Sequence, residues 1–278
     1  MNKNCQISVV IPTYNHRRWI GRAIRSVLEQ TYTPAEIIVV DDGSSDGSME
    51  YILENFPLVN FVKQSNQGVS SARNKGIRLS SSKWVALLDS DDEWYPEKLE
   101  KQVKAIQEKP DHQFCHTEEI WVRNGVRVNQ MKKHHKYGGH IFEKCLDMCR
   151  ISPSSVLFQK SILDKTGWFD KELRVCEDYD LWLRVTARYP TLYLNEPLII
   201  KYGGYKDQLS NVKGGIESYR INVLEKLFLI DLTTNQKRLV REMLIQKLSI
   251  YAKGAQNRGR HSIYEKSIKR INELSTLL

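Results

Sequence analysis

Residues 87–94 read LLDSDDEW. Asp89, Asp91 and Asp92 follow the apolar run Trp84-Val85-Ala86-Leu87-Leu88 almost directly. Carboxylates that close repel one another and resist leaving water. A divalent cation would resolve the conflict, because hard cations take carboxylate oxygens; a solvated acidic turn that caps the next helix is the plainer alternative. A second acidic pair, Glu177-Asp178, opens CEDYDLWLR. As the start of a helix it suits the dipole. His112 and His116 are four apart, but QFCHTEEIWV reads as a strand, where four residues span roughly 13 Å, too far for a shared metal. Cys176 beside two acids makes a poor thiolate and reads as packing.

The elements that must position these acids alternate through the first half. Ile7–Ile11 is a continuous apolar run, as for a strand covered on both faces. Trp19, Ile20, Ala23, Ile24, Val27 and Leu28 recur at helical spacing. Glu36–Val40, Val59–Val62 and Lys83–Leu88 read as further strands, and Ser48–Phe56 and Ser70–Leu79 as helices. Pro96 fits the first turn of a helix over Glu97–Glu108. This rhythm predicts an α/β fold with a mostly parallel sheet flanked by helices. Ligands of such sheets bind at the carboxyl ends of the strands. Farther on, Phe114–Val122 and Val126–Gln130 flank Asn124-Gly125, a hairpin signal. Lys132–His140 reads as a mobile basic loop. Ser155–Gln159, Thr191–Leu194 and Leu198–Lys201 look extended, and Glu177–Tyr189 looks helical. After Asn211 the pattern is helical: Ile216–Ile230, Thr234–Ala255 and Ser262–Leu277. The division expected is a domain over 1–211 and a basic helical extension over 212–278.

The strand ends carry PTYN (residues 12–15), DDGS (41–44) and DSDD (89–92). One sheet edge would then hold an aromatic ring, a hydrogen-bonding aspartate and a cation-holding cluster. These are the parts a nucleotide diphosphate needs. A dinucleotide fold is disfavoured, since the first turn, PTYNHRRW, has no glycine and no GxGxxG. No GxxxxGK[ST] loop occurs. A DxD-type phosphatase nucleophile is disfavoured by its place on a later strand and by the Glu93-Trp94 that follows.

ISVVIPTYN, VVDDGSSD, NQGVSSARNKGI, LLDSDDEW and CEDYDLWLR, in this order, resemble the motifs of the family 2 glycosyltransferases of GT-A fold. The match covers about residues 6–210. The resemblance implies inverting transfer of a sugar from a nucleotide-diphosphate donor, usually UDP-linked, with Mg²⁺ or Mn²⁺. By similarity, Pro12 and Tyr14 line the base pocket and Asp42 hydrogen-bonds the base. Asn66, Gly68 and Arg73 complete the nucleotide site. Asp91 and Asp92 match the acids that touch the ribose and the metal, and Asp89 opens the DxD pattern and orients the donor; the resemblance leaves the assignment among the three open. Glu177 and Asp178 match the catalytic acidic pair, with Asp178 as general base. A base on the face opposite the leaving diphosphate, with no covalent nucleophile, gives inversion. Trp182 either stacks on a sugar or packs in the core. Ile151–Ser155 either approaches the acceptor or forms a structural turn. The chain departs from the pattern at GGYKDQLS (203–210), where Tyr205 stands in place of a histidine that touches diphosphate or metal. Lys201, Lys206, His134 and His135 are alternative sources of positive charge.

The bulk numbers agree with an ordinary globular enzyme of 278 residues, 41% hydrophobic and 27% charged. No window approaches roughly 18 consecutive apolar residues, and the N-terminus has no leader-like cleavage site. Five scattered cysteines without a CxxC fit reduced thiols and a cytoplasmic protein. The net charge is +9, and residues 212–278 carry 13 Lys and Arg against six Asp and Glu. No stacking aromatics interleave with them, so nucleic acid is not the expected partner. A peripheral contact with the inner face of a membrane through this basic tail is one expectation, and a solvated helical face another. The expected partners are a nucleotide sugar and a glycan or lipid-linked acceptor in cell-envelope polysaccharide synthesis. The alternative of another class is a non-catalytic nucleotide-sugar-binding subunit.

Overall fold

The computed structural model describes residues 5–204 and 215–276. Its first half alternates β1 (Ile7–Thr13), α1 (Ile20–Leu28), β2 (Glu36–Asp41), α2 (Ser48–Asn55), β3 (Asn60–Lys63), α3 (Val69–Leu79) and β4 (Trp84–Leu87). β1 is buried along its whole length, as its unbroken apolar run requires. α1 buries Ile20, Ala23, Ile24 and Val27. Leu28, which shares their spacing, is exposed. α3 crosses β1 at Gly76, where a Cβ would stand 2.3 Å from Val10 Cγ1; only glycine allows that approach.

The chain continues through β5 (Glu93–Trp94), α4 (Lys98–Glu108), β6 (Phe114–Arg123), β7 (Val126–Val128), α5 (Phe142–Cys145), β8 (Leu157–Gln159), α6 (Ile162–Thr166), α7 (Glu177–Thr186) and β9 (Leu192–Gly203). Asn124 and Gly125 turn the β6–β7 hairpin with φ of 50° and 78°, the signature of a tight hairpin turn. The two extended pieces expected near 191–201 are one strand, carried past Pro197 by register shifts opposite Glu118. Residues 132–140 are not a loose loop. Lys136 is buried and pairs with Glu119 at 2.6 Å, and Gly139 bridges to Thr191.

The nine strands form one sheet in the order β3-β2-β1-β4-β8-β6-β9-β5, with β7 on β6. β3, β2, β1 and β4 are mutually parallel. Beyond β4 the sheet is mixed: β8 runs antiparallel to β4 and β6, and β9 runs parallel to β6. β1 has β2 on one side and β4 on the other, so the connections leave it in opposite directions. Their divergence opens a crevice at the carboxyl ends of these strands.

Three helices close the chain: α8 (Glu217–Phe228), α9 (Thr234–Gln256) and α10 (His261–Thr276). A capping box between Thr233 and Gln236 starts α9. Ile221, Val223, Leu224, Leu227, Val240 and Leu244 share one continuous core with Phe114, Phe158, Tyr179 and Leu183. The basic extension thus packs on the α7 face of the sheet domain. No described helix is long and apolar enough to cross a membrane.

Candidate functional site

The carboxyl ends of β1, β2 and β4 and the start of α7 surround one cavity of about 620 Å³. Pro12, Tyr14, Asp42, Asn66, Gly68, Arg73, Asp89, Asp91, Asp92, Glu177 and Asp178 all line it. Every residue expected from the motifs therefore reaches the same space, although their parts in it differ.

The turns after the strands are tied to each other. Asn15 adopts a left-handed φ of 52°, which asparagine tolerates. Its Oδ1 accepts from the Ser45 amide at 2.8 Å and its own amide donates to Ser44 Oγ at 2.8 Å. His16 Nδ1 lies 2.7 Å from Ser90 Oγ, which joins the β1 turn to the acidic turn. Tyr14, nearly half exposed, leaves its ring open at the mouth.

Asp42 is almost wholly buried and its carboxylate is already occupied. It accepts from Gln64 Nε2 at 2.7 Å, the Gln67 amide at 2.9 Å and the Gly68 amide at 2.8 Å. Its structural part is to seat the loop that carries Asn66 and Gly68 into the cavity. Gly68, at φ 87°, gives that loop its turn into α3.

Arg73 is likewise committed. It is 3% exposed, and its guanidinium spans from Asp89 at 2.6 Å to Glu177 at 2.7 Å. Burial opposes its charge, but the two carboxylates outweigh burial and hold it protonated. Through Arg73 the β4 turn and the start of α7 become one unit. The acidic pair divides accordingly. Glu177 is buried against Arg73, and burial with the neighbouring Asp178 charge lifts its pKa to about 7. Asp178 is half-buried; its Oδ1 accepts from the Tyr179 amide at 2.7 Å and its Oδ2 accepts from the Cys149 thiol at 3.4 Å.

The three turn aspartates also differ. Burial raises Asp89, but Arg73 and Lys201 outweigh it and hold the carboxyl below the usual range. Asp91 is pushed up by burial and by the charge of Asp89. Asp92 is pushed well up by burial, against the pull of Lys201, and by Asp91 and Asp89. Asp92 is 1% exposed, and its oxygens accept from Ser154 Oγ at 2.6 Å and the Tyr202 amide at 3.2 Å. Asp91 is half-buried, and among the described residues no other residue donates a hydrogen bond to its side chain. Among the described residues no three His, Cys, Asp or Glu side chains converge as a ready metal cage. The donor set suits a hard divalent ion held by Asp91 and the adjacent face of Asp89, with ligand oxygens completing it. Asp92, expected as a ligand with Asp91, also fastens the turn to Ser154 and β9.

Several residues carry more than sequence reasoning assigned them. Lys201 of β9 lines the cavity, whereas His134 packs on Trp121 and His135 on Tyr137, neither at the cavity. Tyr205 and Lys206 lie outside the described residues. Residues 153–155 form a short 3₁₀ turn whose Ser154 binds both the Asp89 amide and Asp92. Trp182 is core: it is 2% exposed and packs edge-on against Phe114, 5.1 Å between centroids. His16 and Cys149 had no local signal, because a lone His or Cys acquires a role only from what the fold sets beside it.

Comparison with known proteins bears on the fold and the family. The model of the family described as "Glycosyl transferase family 2" matches residues 8–167. An uncharacterized glycosyltransferase of Rickettsia bellii is 33% identical over 188 residues, covering 67% of this chain and 27% of that protein. The chain spans 27% to 34% of the length of the first such Rickettsia relatives. The putative colanic acid biosynthesis glycosyl transferase WcaA of Escherichia coli is 30% identical over 193 residues, 68% of this chain and 69% of WcaA. Among solved structures, S. aureus TarS 1–349 in complex with UDP-GlcNAc superposes with a TM-score of 0.77 at 18% identity, covering 97% of this chain and 81% of that one. The sheet and the C-terminal helices match that GT-A neighbour, and by its sequence the chain belongs to glycosyl transferase family 2.

Proposed function

We propose that this chain transfers a sugar, with inversion, from a nucleotide-diphosphate donor to a hydroxyl of a glycan or lipid-linked acceptor. The observation that carries the proposal is the sharing of one 620 Å³ cavity by the Asp89–Asp92 turn and Asp178, which come from different elements. Relatives named as glycosyltransferases, and a structural neighbour solved with UDP-GlcNAc and with UDP, support a UDP-linked donor.

In this reading the Tyr14 ring packs the base at the mouth, and Asn66 and Gly68 close its side. Asp42 acts through the loop it seats. Asp91, with Asp89 beside it, holds Mg²⁺ or Mn²⁺; a bound divalent ion offsets charge that develops on the leaving diphosphate. Arg73 keeps Asp89 and the start of α7 in register. Asp178 takes the acceptor hydroxyl's proton as that oxygen attacks the anomeric carbon from the face opposite the diphosphate. Glu177, occupied by Arg73, positions rather than transfers.

Calorimetric titration with UDP and GDP, each with and without Mn²⁺, tests the donor site. UDP binding that Mn²⁺ strengthens, and that weakens in Asp91→Ala, is expected. Asp178→Asn should keep that binding and lose turnover by about 10²- to 10⁴-fold. Absence of binding by either nucleotide would sink the reading.

A further inference from the structure

We infer that Lys201 is a cationic ligand of the donor's diphosphate, a fixed ammonium that the chain itself provides beside the acidic turn. The inference rests on the donor reading above.

Lys201 lies near the end of β9 and lines the same cavity as Asp89, Asp91 and Asp178. Its backbone is held on both sides of the strand. β6 pairs with it at Trp121, and β5 pairs with the preceding Ile200 at Glu93. The next residue, Tyr202, fastens β9 to the turn through its amide to Asp92 and its hydroxyl to Glu93 at 2.7 Å. The ammonium is thus carried on a rigid element beside the turn.

Its charge is secure, and it is shared among several carboxylates rather than held by one. Burial works against it, but Asp92, Glu119, Asp89 and Asp178 around it raise its pKa further above the ordinary lysine range. Yet among the described residues it makes no ion pair within 4.0 Å. Three other buried basic side chains pair closely with carboxylates: Arg73 with Asp89 and Glu177, Lys136 with Glu119, and Lys247 with Glu217. A half-buried ammonium facing a cavity, surrounded by carboxylates but paired closely with none, suits a multiply charged anion that enters from solvent. A diphosphate is such an anion, and lysine meets phosphate as a point charge. The lysine also relieves the acidic turn, which would otherwise repel the ligand it is meant to hold.

The test is calorimetric titration of UDP and of uridine into wild type, Lys201→Met and Lys201→Arg, with thermal unfolding as a check of the fold. A lost charge-assisted contact corresponds to about a tenfold or greater loss of affinity. Lys201→Met should lose that much for UDP and stay within about twofold for uridine, which has no phosphate; Lys201→Arg should recover part of the UDP affinity. UDP affinity within about twofold of wild type in Lys201→Met would overturn the inference and leave the donor site standing. An equal loss for uridine would also overturn it, since it would mark a general collapse of the pocket. Failure of the wild type to bind UDP would remove the donor reading and this inference together.

Discussion

Cys149 shows how a residue without a motif can matter at this site. Its thiol is shared between the Ile151 carbonyl at 3.3 Å and Asp178 Oδ2 at 3.4 Å. Burial and the Asp178 charge push its pKa well up, so it stays a protonated donor rather than a nucleophile. With the Tyr179 amide on Oδ1, both carboxylate oxygens of the proposed base are anchored. One neutral hydrogen bond contributes about 0.5–1.5 kcal/mol. Cys149→Ala should therefore lower kcat by about threefold to tenfold at unchanged donor KM, and Cys149→Ser should restore it. Steady-state kinetics of the two variants decide this: a serine variant as slow as the alanine variant would mean that packing, not the donated hydrogen bond, matters. At the same scale, Asp42 and Asp92 were legible as site residues, whereas the amides and hydroxyls that bind their carboxylates were not. A motif states which carboxylates gather; it does not say which are consumed by neighbouring amides and hydroxyls.

Among the elements, α4 carries an unusual burden under the sheet. Lys98 is fully buried, with Nζ 4.0 Å from the Trp94 ring centroid and a 2.8 Å hydrogen bond to Gln102. Gln102 in turn donates to the Ser155 carbonyl at 3.0 Å, and Trp94 Nε1 donates to that of Ser154 at 2.8 Å. This polar line supports the turn that fastens Asp92. Burial pushes the Lys98 pKa down to about 7 from its ordinary 10.5. Between those values the unfolded chain binds more protons than the folded one, so stability rises with pH across the window and, on acidification, falls from about 10.5 to about 7 and levels off below. Lys98→Met should flatten that dependence, checked by urea midpoints at about pH 7.5 and 9.5. An unchanged slope would assign it to other groups. The alternating first half and the β6–β7 hairpin could be read from periodicity and from Asn124-Gly125. β9 could not, because Asn195-Glu196-Pro197 breaks its pattern and only pairing with β6 carries it through.

At the scale of the whole molecule, the C-terminal helices complete the core. Burying one large aliphatic side chain contributes about 1.5–3 kcal/mol. The seven buried residues of α8 and α9 in this core, Leu248 among them, therefore contribute on the order of 10 kcal/mol, comparable with the total stability of a domain. A chain ended at residue 214 should lose its cooperative thermal transition, read by circular dichroism. A retained transition would instead show that residues 1–214 fold without the C-terminal helices. The charge excess of this tail was plain from composition, whereas its apolar seam with α7 required the two faces to be seen together.

The division of labour between sequence and structure follows from range. Strand and helix periodicity, the glycine and asparagine turns, and the order of five short motifs depend on near neighbours along the chain. They determined the α/β class, the family resemblance and the list of residues at the sheet edge. Partners far apart in sequence were decided only by the tertiary structure. Arg73 reaches 104 residues to Glu177, Asp92 reaches 110 to Tyr202, and Cys149 reaches 29 to Asp178. Whether a carboxylate is free for a ligand depends on whether such a partner has already taken its lone pairs, and no local pattern encodes that.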